Sequence, residues 1–156
     1  MGERGNIVFQ FEGTRRIFFY THWRGHLLHE ILREAMNWKE SYPEGFGNLT
    51  GTTRESCRWH DPSYFARVVF NRLTRGDEDG VLSFGISVDR TLPDHDELHV
   101  DTIRKTVRQV RLDPIEEEGR WSGVAEVTVQ EWTYQQFADG VFLVENAEAE
   151  DLGVES

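Results

Sequence analysis

The formal charge of −11 on this chain is confined to its last 44 residues, and that partition constrains what it can fold into. Through Leu112, sixteen Asp and Glu are matched by sixteen Lys and Arg; Asp113 to Ser156 holds twelve acids and one base, Arg120. A neutral body can close around a core without strong self-repulsion, whereas the acidic extension must stay solvated or meet a basic partner. The body has the material for that core, because the chain carries ten Phe, five Trp and four Tyr. At 156 residues one domain is expected, burying about two-thirds of its unfolded surface.

Hydrophobic periodicity predicts an α+β domain. Ile7 to Glu12 and Arg15 to His22 alternate as strands around a Gly13-Thr14 turn, giving an N-terminal hairpin. Leu27, Leu28, Ile31, Leu32, Ala35 and Met36 recur at helical spacing, so a helix is expected from Gly25 to about Trp38. Ser41 to Glu55 has loop composition. The sharpest local signal is Asp61-Pro62, an N-cap followed by the one helical position where a missing N–H costs nothing. Phe65, Val68, Val69 and Leu73 form the buried stripe of that second helix, and Gly76 is its expected stop.

Asp77 to Gly80 is a turn, and Val81 to Val88 a strand. Leu98 to Thr102 and Thr106 to Leu112 are two further strands; Ile103, Val107 and Val110 also match one helix face, but β-branched residues favour the strands. Asp113 to Gly119 has the composition of an acidic loop, Gly123 to Trp132 alternates as a last strand, and Thr133 with Gln136 can form a capping box. The expectation is a single domain over residues 1–144. It has a mainly antiparallel sheet, made of the N-terminal hairpin, two central helices and then three or four strands. Residues 145–156 form an acidic tail.

Cys57 is the sole cysteine, which excludes an internal disulfide and suits a reducing cytoplasm. No window approaches the ~18 apolar residues of a membrane-spanning helix, and net negative charge argues against general nucleic-acid binding.

The strings Tyr20-Thr-His-Trp-Arg-Gly25, Arg58-Trp-His-Asp-Pro-Ser-Tyr-Phe-Ala-Arg67, Phe84-Gly-Ile-Ser87 and Val100-Asp-Thr102 resemble small uncharacterised proteins of actinobacteria and their bacteriophages. The likeness spans roughly residues 6 to 137. It implies a single-domain cytoplasmic protein and brings no activity with it.

Chemistry is concentrated in two segments. Tyr20, His22, Trp23 and Arg24 lie where the second strand hands over to the first helix, and Arg58, Trp59 and Arg67 flank the start of the second helix. Arginine forks bind carboxylate or phosphate, and indole or phenol rings stack on a base. Together they would suit an anionic or nucleotide-like ligand; alternatively the rings are core and the arginines pair with acids such as Asp61. His22, His26 and His29 have helical spacing, but His22 falls in a strand and His-Glu-x-x-His is absent, so no metal is expected. Nucleophile-elbow, Walker-type and dinucleotide-binding glycine motifs are absent, so neither a cofactor nor an enzymatic reaction is expected. The resulting expectation is a cytoplasmic binding protein, phage-encoded or from an actinobacterial host, for a small anionic ligand such as a signalling nucleotide. A homodimeric interaction module or inhibitor of a host protein is the second reading, and a metal-dependent hydrolase the third.

Overall fold

The computed structural model describes residues 3–37, 61–75 and 84–142. Over these residues the protein is α+β, with one mixed six-stranded sheet and three helices. Strands β1 (Gly5–Gln10) and β2 (Arg16–Thr21) form the expected hairpin. A 3₁₀ turn (Gly25–Leu27) leads into α1 (Leu28–Asn37), which buries Leu28, Ile31, Leu32, Ala35 and Met36 along one stripe. Helix α2 (Pro62–Leu73) starts as its sequence predicts: Asp61 Oδ1 accepts from the N–H groups of Ser63 and Tyr64 at 2.9 and 3.1 Å, with Pro62 at the first helical position.

Strand β3 (Phe84–Ser87) pairs with β2, followed by β4 (Glu97–Asp101), β5 (Thr106–Glu117) and β6 (Arg120–Thr133). Residues 98–112 are therefore strands. The short helix α3 (Tyr134–Ala138) begins with the complete Thr133/Gln136 capping box. Its end is tied back to α1, because Arg33 Nε and Asn37 Nδ2 both donate to the Ala138 carbonyl, at 3.2 and 2.8 Å.

The sheet is mainly antiparallel, as expected, with one parallel pair: the strand order is β3-β2-β1-β4-β5-β6, and β1 runs parallel to β4, with Ile7 opposite Leu98 and Phe9 opposite Val100. One expectation is corrected. Asp113 to Glu117 is not a loop but the continuation of β5, paired with β6 up to a tight turn at Glu118 and Gly119 (φ 54° and 77°). Positive φ at both positions is the hairpin turn whose twist matches the flanking strands. The Ser41–Glu55 loop, the Gly76 stop, the Asp77–Gly80 turn, part of the Val81–Val88 strand and the acidic tail lie outside the described residues.

The helices cover one face of the sheet, where Ile7, Phe9, Phe19, Leu98, Val100, Val107 and Trp132 meet Leu32, Met36, Phe65, Val69 and Phe137. The other face carries Asn6, Val8, Phe18, Glu97, His99 and Val110, all buried although no helix of the described residues lies on it. Two features cover them. Residues 88–96 cross from β3 to β4 along this face: Arg90 sits over Phe18, the Thr91 carbonyl accepts from Asn6 Nδ2 at 2.8 Å, and Asp94 pairs with Arg4. The β5–β6 hairpin also bends across it, with a bulge between Gln109 and Val110. Three strands separate β2 from β6, which in a flat sheet puts them about 19 Å apart. Yet Arg16 of β2 meets Glu126 of β6 at 2.8 Å. The sheet is therefore strongly coiled around this face.

Candidate ligand-binding site

A cavity of about 1190 Å³ opens at the end of the sheet where β1 and β4 finish and β2 begins, beneath the first residues of α2. Phe11, Ile17, Phe18, Val88, Ile103 and Pro62 give it an apolar wall, and Arg15, Arg16 and Arg90 a cationic one. Glu12 and Asp89 are the carboxylates among the lining residues, against these three arginines. The Arg15-Arg16 pair reaches the rim because it follows the β1–β2 turn, and Arg90 because it is on the crossing segment.

Two guanidinium groups flank one ring. Arg16 Cζ lies 5.2 Å and Arg90 Cζ 5.1 Å from the centre of the Phe18 ring. Each is aligned by carboxylates. Arg16 Nη1 donates to both oxygens of Glu126 at 2.9 and 2.8 Å, and Arg90 Nη2 donates to Glu126 Oε2 at 2.6 Å. Arg90 also grips Glu97 in two-pronged fashion, Nε to Oε2 at 2.8 Å and Nη2 to Oε1 at 2.9 Å.

Glu97 is fully buried and also accepts from Asn6 Nδ2 at 2.7 Å and from His99 Nε2 at 2.9 Å. Burial alone would raise its pKa, but hydrogen bonds from His99, Arg90 and Asn6 outweigh it and hold the carboxyl at about 2. Glu126 shows the same balance: burial pushes it up, and hydrogen bonds from Arg90 and Arg16 bring it below the usual carboxylate range. Asn6 Oδ1 and His99 Nδ1 have no hydrogen-bond partner among the described residues. His99 Nδ1 lies 4.0 Å from Glu126 Oε1.

After these contacts, donors remain. Arg16 Nε and Nη2 and Arg90 Nη1 have no partner among the described residues, and Arg15 makes only a 3.4 Å contact to the Glu12 carbonyl. The cavity thus offers unspent guanidinium N–H groups beside an apolar wall. The N-terminus of α2 adds little, since Asp61 already occupies its first N–H groups.

The residues singled out from sequence lie elsewhere. Tyr20, His22 and Trp23 come together: the Tyr20 hydroxyl and His22 Nδ1 share a 2.9 Å hydrogen bond, and His22 meets the 43 % exposed Trp23 edge-on at 4.5 Å. Arg24 turns to the C-terminal end of α2, where Nη1 donates to the Leu73 carbonyl at 3.2 Å and the guanidinium sits over Phe84. A cation at a helix C-terminus is favourable in itself. Arg67 is exposed on α2 and packs over Tyr64, one turn back on the same helix. It is six residues, about 9 Å along the axis, from Leu73. Arg58 and Trp59 lie outside the described residues. Sequence reasoning passed over Arg16, Phe18, Arg90, Glu97 and Glu126; the one available signal was the Arg15-Arg16 pair beside a turn.

His22, His26 and His29 do not converge: His22 lies against Trp23, whereas His26 sits 3.9 Å from Glu3 Oε2 with its ring 6.4 Å from that of His95. His29 Nε2 donates to Gln109 Oε1 at 3.2 Å inside a box of Trp132, Phe137 and Phe142, and burial pushes its pKa down. His95 is bonded to Glu3. Among the described residues no three His, Cys, Asp or Glu side chains converge as a metal ion requires, and no helix is long and apolar enough to cross a membrane.

Comparison with known proteins returns no match to any family model, curated protein or solved structure.

Proposed function

We propose that this protein binds a small anionic ligand with an apolar or ring-bearing body, such as a nucleotide, in the cavity at the strand ends. The observation that carries this reading is the pair Arg16 and Arg90 on either side of Phe18, lining the cavity with N–H donors still to spare. The Arg90 guanidinium, gripped by the buried Glu97 behind it, does not have to be ordered by the ligand, which lowers the entropic cost of binding. The apolar wall of Phe11, Ile17, Val88 and Ile103 suits the ligand's uncharged part, and a volume near 1190 Å³ accommodates a molecule of nucleotide size. Sequestering a signalling nucleotide is a cellular role that such a site fits.

Thermal-shift and calorimetric titration with nucleoside monophosphates, nucleoside diphosphates and aromatic carboxylates tests the reading, with adenosine as the uncharged control. A ligand at about 100 times its Kd adds about 2.7 kcal/mol of stability. The expected result is stabilisation by an anionic member of the panel, none by adenosine, and weakened binding in Arg16→Ala. Absence of binding across the panel, or equal binding in Arg16→Ala, refutes it.

A further inference from the structure

We infer that Glu126 is a built-in occupant of the anion subsite formed by Arg16 and Arg90, so that an incoming phosphate or carboxylate and the β5–β6 hairpin compete for the same two guanidinium groups. This rests on the ligand-binding reading above and adds its regulation: ligand entry releases the hairpin.

The geometry of the present occupant is that of a bound anion. Both Glu126 oxygens accept from Arg16 Nη1 at 2.9 and 2.8 Å, and Oε2 also accepts from Arg90 Nη2 at 2.6 Å, beside the Phe18 ring. A ligand carboxylate or phosphate lying over Phe18 would take these same donors. The Glu126 side chain retains 29 % of its exposure, and Arg16, Phe18 and Arg90 all line the cavity, so the subsite can be approached from solvent.

The two arginines are not equally dependent on it. Arg90 keeps its two-pronged grip on the buried Glu97, so its guanidinium stays in place when Glu126 leaves. Arg16 has Glu126 as its sole carboxylate among the described residues. Exchange of one anion for another therefore leaves the buried network intact and the charge at the clamp balanced.

Glu126 also sits where its release matters. Strand β4 supports β5 only as far as Val110. Among the described residues the hairpin from Arg111 to Val127 has itself as its strand partner, and a two-stranded ribbon alone is marginally stable in water. The ion pairs of Glu126 tether that ribbon to β2 and to the crossing segment. Freed of them, the hairpin keeps its base on β4 and loses its anchor at the back of the sheet.

The test uses adenosine 5′-monophosphate as probe, with calorimetry and amide hydrogen exchange on the full chain. Glu126→Gln removes the competing charge and keeps the side-chain volume; it is expected to bind the probe about tenfold more tightly than wild type, the scale of one charge-assisted contact. In wild type, saturating probe should speed exchange at amides of residues 111–127; in Glu126→Gln those amides should already exchange fast without it. Glu126→Asp keeps the charge, shortens the reach and should show the same gain should the glutamine disturb the fold. Arg16→Ala combined with Glu126→Gln should abolish the gain. Equal affinity in wild type and both Glu126 variants overturns the competition and leaves the binding site standing. Absence of probe binding in every variant overturns both.

Discussion

Glu97→Gln is the most discriminating perturbation of the buried network. Glu97 is completely buried and accepts hydrogen bonds from Asn6, His99 and twice from Arg90. Its carboxyl is held at about 2, against an ordinary value of 4.5. At about 1.4 kcal/mol per pKa unit, that gap corresponds to about 3 kcal/mol of stability at neutral pH. Glutamine has nearly the same shape, but its amide N–H₂ must face a donor where the carboxylate had an acceptor. Breaking a buried ion pair from one side costs about 3–5 kcal/mol, so both routes give the same scale. Because the folded pKa is depressed, this stabilisation is complete above about pH 4.5 and is lost as pH falls toward 2. Urea unfolding at pH 7 should show the midpoint lowered by at least about 1 M in the variant. Repeated at descending pH, the difference between the two proteins should shrink, since glutamine has no proton to take up. A difference below about 1 kcal/mol at pH 7, or one that stays constant down to pH 2, refutes the reasoning.

Two simpler substitutions test the packing that positions the site. Gly25→Ala should destabilise by about 1–3 kcal/mol in urea, because a Cβ there lies 2.5 Å from the Glu3 carbonyl oxygen and 2.6 Å from that of Arg4; an unchanged midpoint contradicts this close approach. Thr133→Ala removes the capping box of α3 and should cost about 1 kcal/mol, read by circular dichroism as a fall in Tm of about 2–4 °C.

Local structure was legible in the sequence wherever a few adjacent residues decide it. Asp61-Pro62 announced α2, the Leu28/Ile31/Leu32/Ala35/Met36 stripe announced α1, and the β-branched residues of 98–112 announced strands. Strand order was not legible, because the β1–β4 pairing joins residues about 90 positions apart and leaves no periodic trace in either segment. The acidic run ending β5 was misread because Pro114 and the carboxylates match loop composition, whereas a hairpin with two solvated faces tolerates them. The cavity escaped for a related reason. Its wall is assembled from the β1–β2 turn, the crossing segment and the start of α2, and Arg90 stands in a polar stretch that differs from an ordinary connection only once folded against Phe18. Tyr20, His22 and Trp23 are near in sequence and do meet; Arg24 was drawn away by a free carbonyl at the end of α2.

The parallel pairing of β1 with β4 also sets a timetable for biosynthesis. The N-terminal hairpin is made first, but its inner edge has no mate until residues 97–101 have been translated. Until then Ile7 and Phe9 lack their neighbours Leu98 and Val100, and Asn6 lacks the carboxylate that accepts from it. Closing so long a loop is entropically slow. Nascent chains halted before Glu97 should therefore remain protease-sensitive on the ribosome, and those extended past Thr133 should become resistant in one step.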